Sequence, residues 1–151
     1  MKHNVARYGL ILNTERFDEC VAFYQGLFEL PPLFSKEDGG FRLTCLAYGD
    51  GYLMIEQGGR AIEGGKSPEQ GSAKLRFNVS DIEQALAEVR AWGIEAEIEE
   101  TPWGRTIHLH DPDGNRVGIR DEAGFVGQDA SHENRSAGRR SHRPCSRSRH
   151  L

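Results

Sequence analysis

Apolar and polar residues alternate in the first part of the chain, over residues 5–12. Tyr8, Leu10 and Leu12 occupy every second position, and a different set that includes Arg7 lies between them. A period of two residues is typical of a β-strand with one buried face. The pattern predicts a strand in which Tyr8, Leu10 and Leu12 face the core and Arg7 faces the other way.

The apolar spacing changes to a helical period after this strand. Phe17, Val21 and Tyr24 form one stripe and predict a helix over about 15–26, with Thr14 as its N-cap. Pro31-Pro32 prevents the helix from continuing. Glycine- and aspartate-rich turns then separate three further predicted strands, at 32–36, 41–48 and 52–57.

The same order of elements recurs in the second half of the chain, after a glycine-rich linker at 58–72. A strand is predicted at 74–79, and Ser80-Asp81-Ile82-Glu83 has the spacing of a capping box at the start of a second helix. Asp111-Pro112-Asp113-Gly114 suits a tight turn between the last two strands. The remaining strands are predicted at 94–99, 105–110 and 116–120.

The repeat predicts an α+β fold built from two βαβββ modules, at about 5–57 and 74–121, within one domain over 1–122. Each module is expected to form a sheet that one helix covers on one face. The chain has 151 residues, of which 37% are apolar and 28% charged, and this composition excludes collagen and coiled coils. No apolar run reaches the roughly 20 residues that a membrane-spanning helix needs, and residues 1–13 lack a signal-peptide core, so we expect a cytoplasmic protein.

Charge divides the chain into an acidic body and a basic tail. Residues 1–130 contain 13 Lys and Arg against 22 Asp and Glu, whereas residues 131–151 contain six Arg and one Glu. The segment 123–151 has too few apolar residues to offset its ordering entropy, which predicts a disordered tail. Its arginines are compatible with a polyanion, but no aromatic residue lies among them to stack on bases, so nucleic acid is not an expected partner.

Several features together resemble the vicinal oxygen chelate superfamily, which includes glyoxalase I, bleomycin-resistance proteins, fosfomycin-resistance enzymes and extradiol dioxygenases. The features are the repeated module, Phe23-Tyr24 near the end of the first helix, and Asp111-Pro112-Asp113-Gly114-Asn115 before the last strand. The resemblance implies that the modules form a cupped mixed sheet with helices on the outer face, that a ligand or metal sits inside the cup, and that the cup is completed in a homodimer.

The resemblance also implies four metal-ligand positions, a His or Gln on the first strand of each module and a Glu on the last. Strand alternation places Arg7, Glu56, Lys74 and Gly118 there. Protonated Arg and Lys have no lone pair to offer a cation, and Gly has no side chain. Their positive charge repels a divalent ion as well. We therefore expect no cofactor at the usual site.

One alternative metal site stays open. His108 and His110 point to the same side of one strand, and with Glu56 they could hold a divalent metal such as Zn, Ni, Fe or Mn. The other interpretation is that both are polar strand-face histidines beside a turn. The metal site would make the protein a metal-dependent lyase, isomerase or dioxygenase.

Cationic residues share the strand face of the former ligand positions and point to a different ligand. Guanidinium and ammonium groups in a concave site favour an anionic or carboxylate-bearing molecule. Trp103, between two strands at the rim, could add an apolar wall, as could Phe41, Tyr52 and Met54. The alternatives are solvated strand faces paired with acidic neighbours and a tryptophan that covers a loop. The expected ligand-binding residues are Arg7, Glu56, Lys74, Arg76, Trp103 and Arg116.

We therefore expect a protein that binds a small organic, and possibly anionic, molecule in its cup without the usual metal. Whether it also catalyses a reaction stays open, because Glu56 could serve as a base or the displaced histidines could hold a metal. The expected partners are the small-molecule ligand and a second copy of the chain, with no membrane.

Overall fold

Eight strands in two groups of four form the framework of the protein, and the computed structural model describes residues 2–128. The first group comprises β1 (Gly9–Thr14), β2 (Pro32–Asp38), β3 (Phe41–Tyr48) and β4 (Gly51–Gln57), with helix α1 (Phe17–Ala22) and a π-helical turn (Phe23–Leu27) between β1 and β2. The second comprises β5 (Lys74–Val79), β6 (Ile98–Thr101), β7 (Gly104–His110) and β8 (Arg116–Asp121), with helix α2 (Ile82–Ala91) after β5. A short helix, α3, spans 122–128.

Each group forms its own four-stranded mixed sheet. Sheet A has the order β1-β4-β3-β2 and sheet B the order β5-β8-β7-β6. In both sheets the first strand of the module pairs in parallel with the last, and the other pairings are antiparallel. The structure confirms the α+β class and the two βαβββ modules. No helix in the described range is long and apolar enough to cross a membrane.

The helix-covered faces of the two sheets share one hydrophobic core. Leu53 and Ile55 of β4 are fully buried, as are Val117 and Ile119 of β8, within a cluster that extends across both modules. The ring of Phe28, from the first module, stacks on Phe77 of β5 with centroids 3.9 Å apart. The opposite face of each sheet carries the alternate residues, and we call it the open face.

The first strand begins later than its alternation predicts. Leu10 and Leu12 are half-buried against the core, as predicted, but Tyr8 precedes the strand and is 73% exposed, so its predicted inward orientation is wrong. The reason lies in the partner strand. Gly9 pairs with Tyr52, and β4 begins only one residue before Tyr52, so the chain ahead of Gly9 has little of β4 to pair with.

The strand predicted at 94–99 is displaced to Ile98–Thr101. Residues 94–97 instead follow the end of α2, where the Ile94 amide donates to the Val89 carbonyl and the Arg90 side chain to that of Ala96. Only then does the chain pair with β7, from Ile98 opposite Ile107 to Thr101 opposite Gly104. Pro102 and Trp103 are thus the two residues of a tight hairpin turn.

The start of α1 also differs from the prediction. Thr14 is the last residue of β1 and its hydroxyl donates to the Glu56 carbonyl, so it does not cap the helix. The amides of Glu15 and Arg16 donate to the carboxylate of Asp113, in the β7–β8 turn of the other module, at 2.9 and 2.8 Å. The helix begins at 17 and ends as a π-helical turn at 27, rather than spanning 15–26.

The structure places the cap of α2 later in the chain than predicted, and it adds a helix within the predicted tail. Asp81 caps α2 by accepting from the Gln84 amide at 3.0 Å, one residue after the predicted Ser80.

The part of the predicted tail at 123–128 is helical, because Arg120 lies over the Phe125 ring at 5.3 Å and donates to Gln128. The remaining tail prediction, at 129–151, lies outside the described residues.

Candidate functional site

The open face of sheet B gathers positive charge. The strand register aligns Lys74 with Arg116 and Arg76 with Gly118. Gly118 is where the side chains converge, since a Cβ added there would lie 3.1 Å from Arg76 Nε and 3.4 Å from Lys74 Cε. The two cationic side chains therefore lean across the glycine. We call Lys74, Arg76 and Arg116 the cationic cluster.

A hydrogen-bonded chain runs from this cluster to the far edge of sheet B. Lys74 Nζ lies 3.1 Å from His108 Nδ1, and His108 Nε2 lies 3.3 Å from an oxygen of Glu99. An ammonium group can only donate and a carboxylate can only accept. The consistent arrangement has Nε2–H donating to Glu99 and the Nδ1 lone pair accepting from Lys74.

The pKa values of Lys74 and His108 are both lowered. For Lys74, burial lowers the pKa most, followed by the charges of Arg76 and Arg116, while Glu99 opposes them. For His108, burial again comes first and the Lys74 charge second, also against Glu99. Both groups therefore give up their proton more readily than in water.

Hydrogen bonds from both modules fix the backbone around the cationic cluster. The hydroxyl of Tyr48, at the end of β3, donates to the Arg76 carbonyl and accepts from the Arg76 amide. Because β5 is an edge strand, these bonds satisfy backbone groups that no neighbouring strand reaches. Arg116 donates to the carbonyls of Gly71 and Ser72, and its Nε is buried without a hydrogen-bond partner among the described residues.

The open face of sheet A has a different character. Register and alternation place Ile11, Met54 and Tyr52 there, and Ile11 is 50% exposed. The Tyr52 ring lies so close over Gly9 that a Cβ at that position would overlap it. Glu56 shares this face and accepts from the Asn13 side chain at 3.4 Å.

Arg7 precedes β1, so its predicted strand position is wrong, and it lies near sheet A rather than in the cationic cluster. Burial raises the pKa of the Cys45 thiol on β3, and the nearby Arg7 charge lowers it. The charges that act on Lys74 and His108 come instead from sheet B. The structure thus brings together Lys74, Arg76 and Arg116, and it leaves Glu56 on sheet A and Arg7 ahead of that sheet's first strand.

Trp103 and Arg120 lie at the rim of the sheet B open face. Trp103 is 72% exposed at the tip of the β6–β7 hairpin. Its carbonyl accepts hydrogen bonds from Arg120 and from Gln128 of α3. Arg120 shares the strand alternation of the cluster, but its guanidinium group is engaged by the hairpin and α3.

The family can be decided from the sequence profile and the fold together. The profile of the glyoxalase/bleomycin resistance protein/dioxygenase superfamily matches residues 5–119. The chain belongs to this superfamily. No curated protein sequence matches the chain significantly.

Solved structures of the superfamily share the fold at low sequence identity. FosX from Listeria monocytogenes, a fosfomycin resistance protein complexed with Mn(II) and sulfate, aligns with 80% of this chain and 93% of its own at 17% identity and TM-score 0.60. The antibiotic-binding protein TnmS3 from Streptomyces sp. CB03234 aligns with 80% and 98% at 19% identity and TM-score 0.60. Lactoylglutathione lyase from Agrobacterium tumefaciens aligns with 80% and 96% at 20% identity and TM-score 0.59.

The four superfamily ligand positions do not fit a divalent metal in this chain. The side chains of Lys74 and Arg76 occupy the space beside Gly118, where a carboxylate is expected. Only Glu56, on the other sheet, could donate an electron pair as a carboxylate. Two cationic groups beside a glycine repel a metal cation rather than coordinate it.

The alternative set of His108, His110 and Glu56 is not assembled within the chain. Among residues 2–128, no three His, Cys, Asp or Glu side chains are placed to hold a metal ion. Both histidines lie on β7 of sheet B, where His108 contacts Lys74 and Glu99, and His110 lies against Gly65 of the linker. Glu56 lies on β4 of sheet A.

Sequence reasoning included Glu99 only among the carboxylates of 95–100, as possible partners of the cations, and it missed Tyr48. Glu99 faces the cluster because it pairs with Thr106, and that register follows once Pro102-Trp103 is recognised as a two-residue turn. The intermodule contact of Tyr48 with Arg76 has no local sequence signal, since the two residues meet only when the modules pack.

Proposed function

We propose that this superfamily member binds a small organic anion on the cationic cluster, without the divalent metal used by metal-dependent relatives. The observation that carries the proposal is the convergence of Lys74 and Arg76 over Gly118, with Arg116 beside Lys74 in the register. Guanidinium groups suit carboxylates because they donate parallel hydrogen bonds.

A binding role is consistent with the use of this fold in TnmS3, whose description is that of an antibiotic-binding protein. In this chain the charged groups give orientation, and most of the binding free energy is expected from apolar contact. The apolar contact is absent from the cluster itself, where the neighbouring side chains are polar. Apolar side chains are found instead on the open face of sheet A, where Ile11, Met54 and Tyr52 lie.

The anion test uses a panel of aromatic carboxylates, beginning with benzoate, screened by thermal shift and measured by isothermal titration calorimetry. We expect Arg76→Ala to weaken the best ligand by roughly 10- to 150-fold, as the loss of a charge-assisted hydrogen bond worth roughly 1.5–3 kcal/mol implies. Arg60→Ala, at an exposed linker position, is the matched control and should leave the affinity unchanged. Equal affinity of wild type and Arg76→Ala would contradict the proposal, as would about one equivalent of tightly bound transition metal.

We further propose that two copies of the chain complete the cup, with sheet A of one protomer facing sheet B of the other. Sheet A exposes several large apolar side chains, Ile11, Leu33, Phe34 and Phe41. A group of exposed apolar side chains of this size is typical of an interaction surface. The cationic cluster, on the other sheet, lacks an apolar wall. Each open face therefore supplies what the other lacks.

Light scattering tests the pairing. We expect the mass of a dimer at micromolar concentration, and Ile11→Asp should shift the protein toward the monomer because it places a charge in an apolar contact. Lys2→Asp, at an exposed position ahead of β1, is the control for added charge alone. A wild-type protein that stays monomeric at high concentration would contradict the pairing.

A further inference from the structure

Lys74 is exposed, but its neighbours differ from those of an ordinary surface lysine. Its ammonium group contacts a ring nitrogen of His108, two guanidinium-bearing residues share its sheet face, and the nearest opposing charge is the Glu99 carboxylate beyond the imidazole. Burial and the like charges of Arg76 and Arg116 favour the neutral amine over the ammonium ion, against the opposing charge of Glu99. A neutral lysine amine is a nucleophile toward carbonyl groups.

His108 can take the proton that the amine gives up. Its Nε2–H is directed at Glu99, which leaves the Nδ1 lone pair facing Lys74. Burial and the Lys74 charge lower the pKa of His108, so its imidazole is neutral near pH 7 and able to accept. Glu99 stabilises the imidazolium that forms on proton transfer.

We propose that Lys74 forms a reversible imine with small oxo acids, molecules that carry a carbonyl group next to a carboxylate. This inference rests on the proposed function, because Arg76 and Arg116 would hold the carboxylate while the carbonyl carbon reaches Lys74 Nζ. Oxo acids match both halves of the site, since the cationic cluster recognises the anion and the amine recognises the carbonyl.

The chemistry requires no oxidant, reductant or metal. The Lys74 Nζ lone pair attacks the carbonyl carbon, a C–N bond forms, the C=O π bond breaks, and one of the two nitrogen-bound protons moves to the carbonyl oxygen to give a hydroxyl group. The second nitrogen-bound proton passes to His108 Nδ1. The same proton then leaves with the hydroxyl group as water while the C=N bond forms. The balance is one amine and one carbonyl giving one imine and one water.

The other three lysines provide internal controls. Lys2 and Lys36 are exposed, and Lys66 donates to the Asn115 side chain at 2.9 Å. None has a histidine as its hydrogen-bond partner among the described contacts. Their reactivity in the same sample therefore measures what an ordinary lysine does.

The experiment incubates the full chain with glyoxylate and sodium cyanoborohydride, which reduces imines to stable amines, and locates the labelled lysines by peptide mass mapping. We expect Lys74 to be labelled about tenfold faster than Lys36 or Lys66, because its lowered pKa leaves a larger fraction of its amine unprotonated. Glycolate, which has the carboxylate but no carbonyl group, should slow the labelling of Lys74 alone. Acetaldehyde, which lacks the carboxylate, should show less preference for Lys74.

Variants separate proton transfer from folding. Lys74→Arg should remove the preferred label while circular dichroism stays unchanged. His108→Gln should slow the labelling of Lys74 with little change in glycolate affinity, whereas a purely structural role of His108 would change both.

The outcomes distinguish the two proposals. Glycolate binding together with equal labelling of all lysines would overturn the imine and leave the proposed function standing. Selective labelling that glycolate does not slow, and that acetaldehyde reproduces, would overturn the oxo-acid specificity and contradict the proposed anion site.

Discussion

Replacing Asp113 by alanine is expected to lower the free energy of unfolding by about 3 kcal/mol. Asp113 is fully buried and its carboxylate accepts from the amides of Glu15 and Arg16, which precede α1. Hydrogen bonds to a charged group contribute roughly 1.5–3 kcal/mol each, and water can replace part of this loss because Glu15 and Arg16 are exposed. The contact joins the two modules, so its loss affects the core between them as well as the helix.

Urea denaturation followed by circular dichroism measures this effect. Asp50→Ala, in the exposed β3–β4 turn, removes the same side chain from an open position and should change stability by no more than about 0.5 kcal/mol. Asp113→Asn keeps one acceptor oxygen and is expected to fall between wild type and alanine. A loss below about 1 kcal/mol for Asp113→Ala would show that the amides find other partners.

Replacing Phe77 by alanine is expected to cost about 3–4 kcal/mol. Phe77, on β5, stacks with Phe28 and also contacts the rings of Tyr24 and Tyr48, all three from the first module. Removing its ring opens a cavity where the modules meet. Because these contacts couple the modules, the variant is also expected to unfold less cooperatively than wild type.

Near- and far-ultraviolet circular dichroism, recorded through the same denaturant series, measure stability and cooperativity together. The two transitions coincide for a two-state protein and separate when the modules unfold independently. Val126→Ala is the control, since Val126 is 54% exposed on α3, away from the contact between the modules, and should contribute about 0.5 kcal/mol or less. Coincident transitions with little loss for Phe77→Ala would contradict its role between the modules.

The repeated module could be predicted from sequence because it depends on local periodicity. The inward positions of the last strands, such as Ile55 and Ile119, followed from alternation alone and are confirmed by their burial. Alternation also placed Lys74 and Arg76 on the face of Gly118, because neighbouring strands in register share their faces.

The features that local periodicity missed depend on contacts between distant segments. Thr14 has the right residue type for a cap, but the amides it would serve are closer to Asp113, almost a hundred positions along the chain. Tyr8 continues the alternation of β1, yet a strand extends only as far as its partner does. The division of the predicted ligand residues between two sheets likewise followed only from how the modules pack.

The glycine at 118 limits what a single substitution can do. A glutamate introduced at this position would meet Arg76 and Lys74 before any metal ion, because both side chains already lean over the site. The new carboxylate would be neutralised in ion pairs rather than left free to coordinate. Engineering a chelating centre here would therefore require replacement of the two cationic residues together with the glycine.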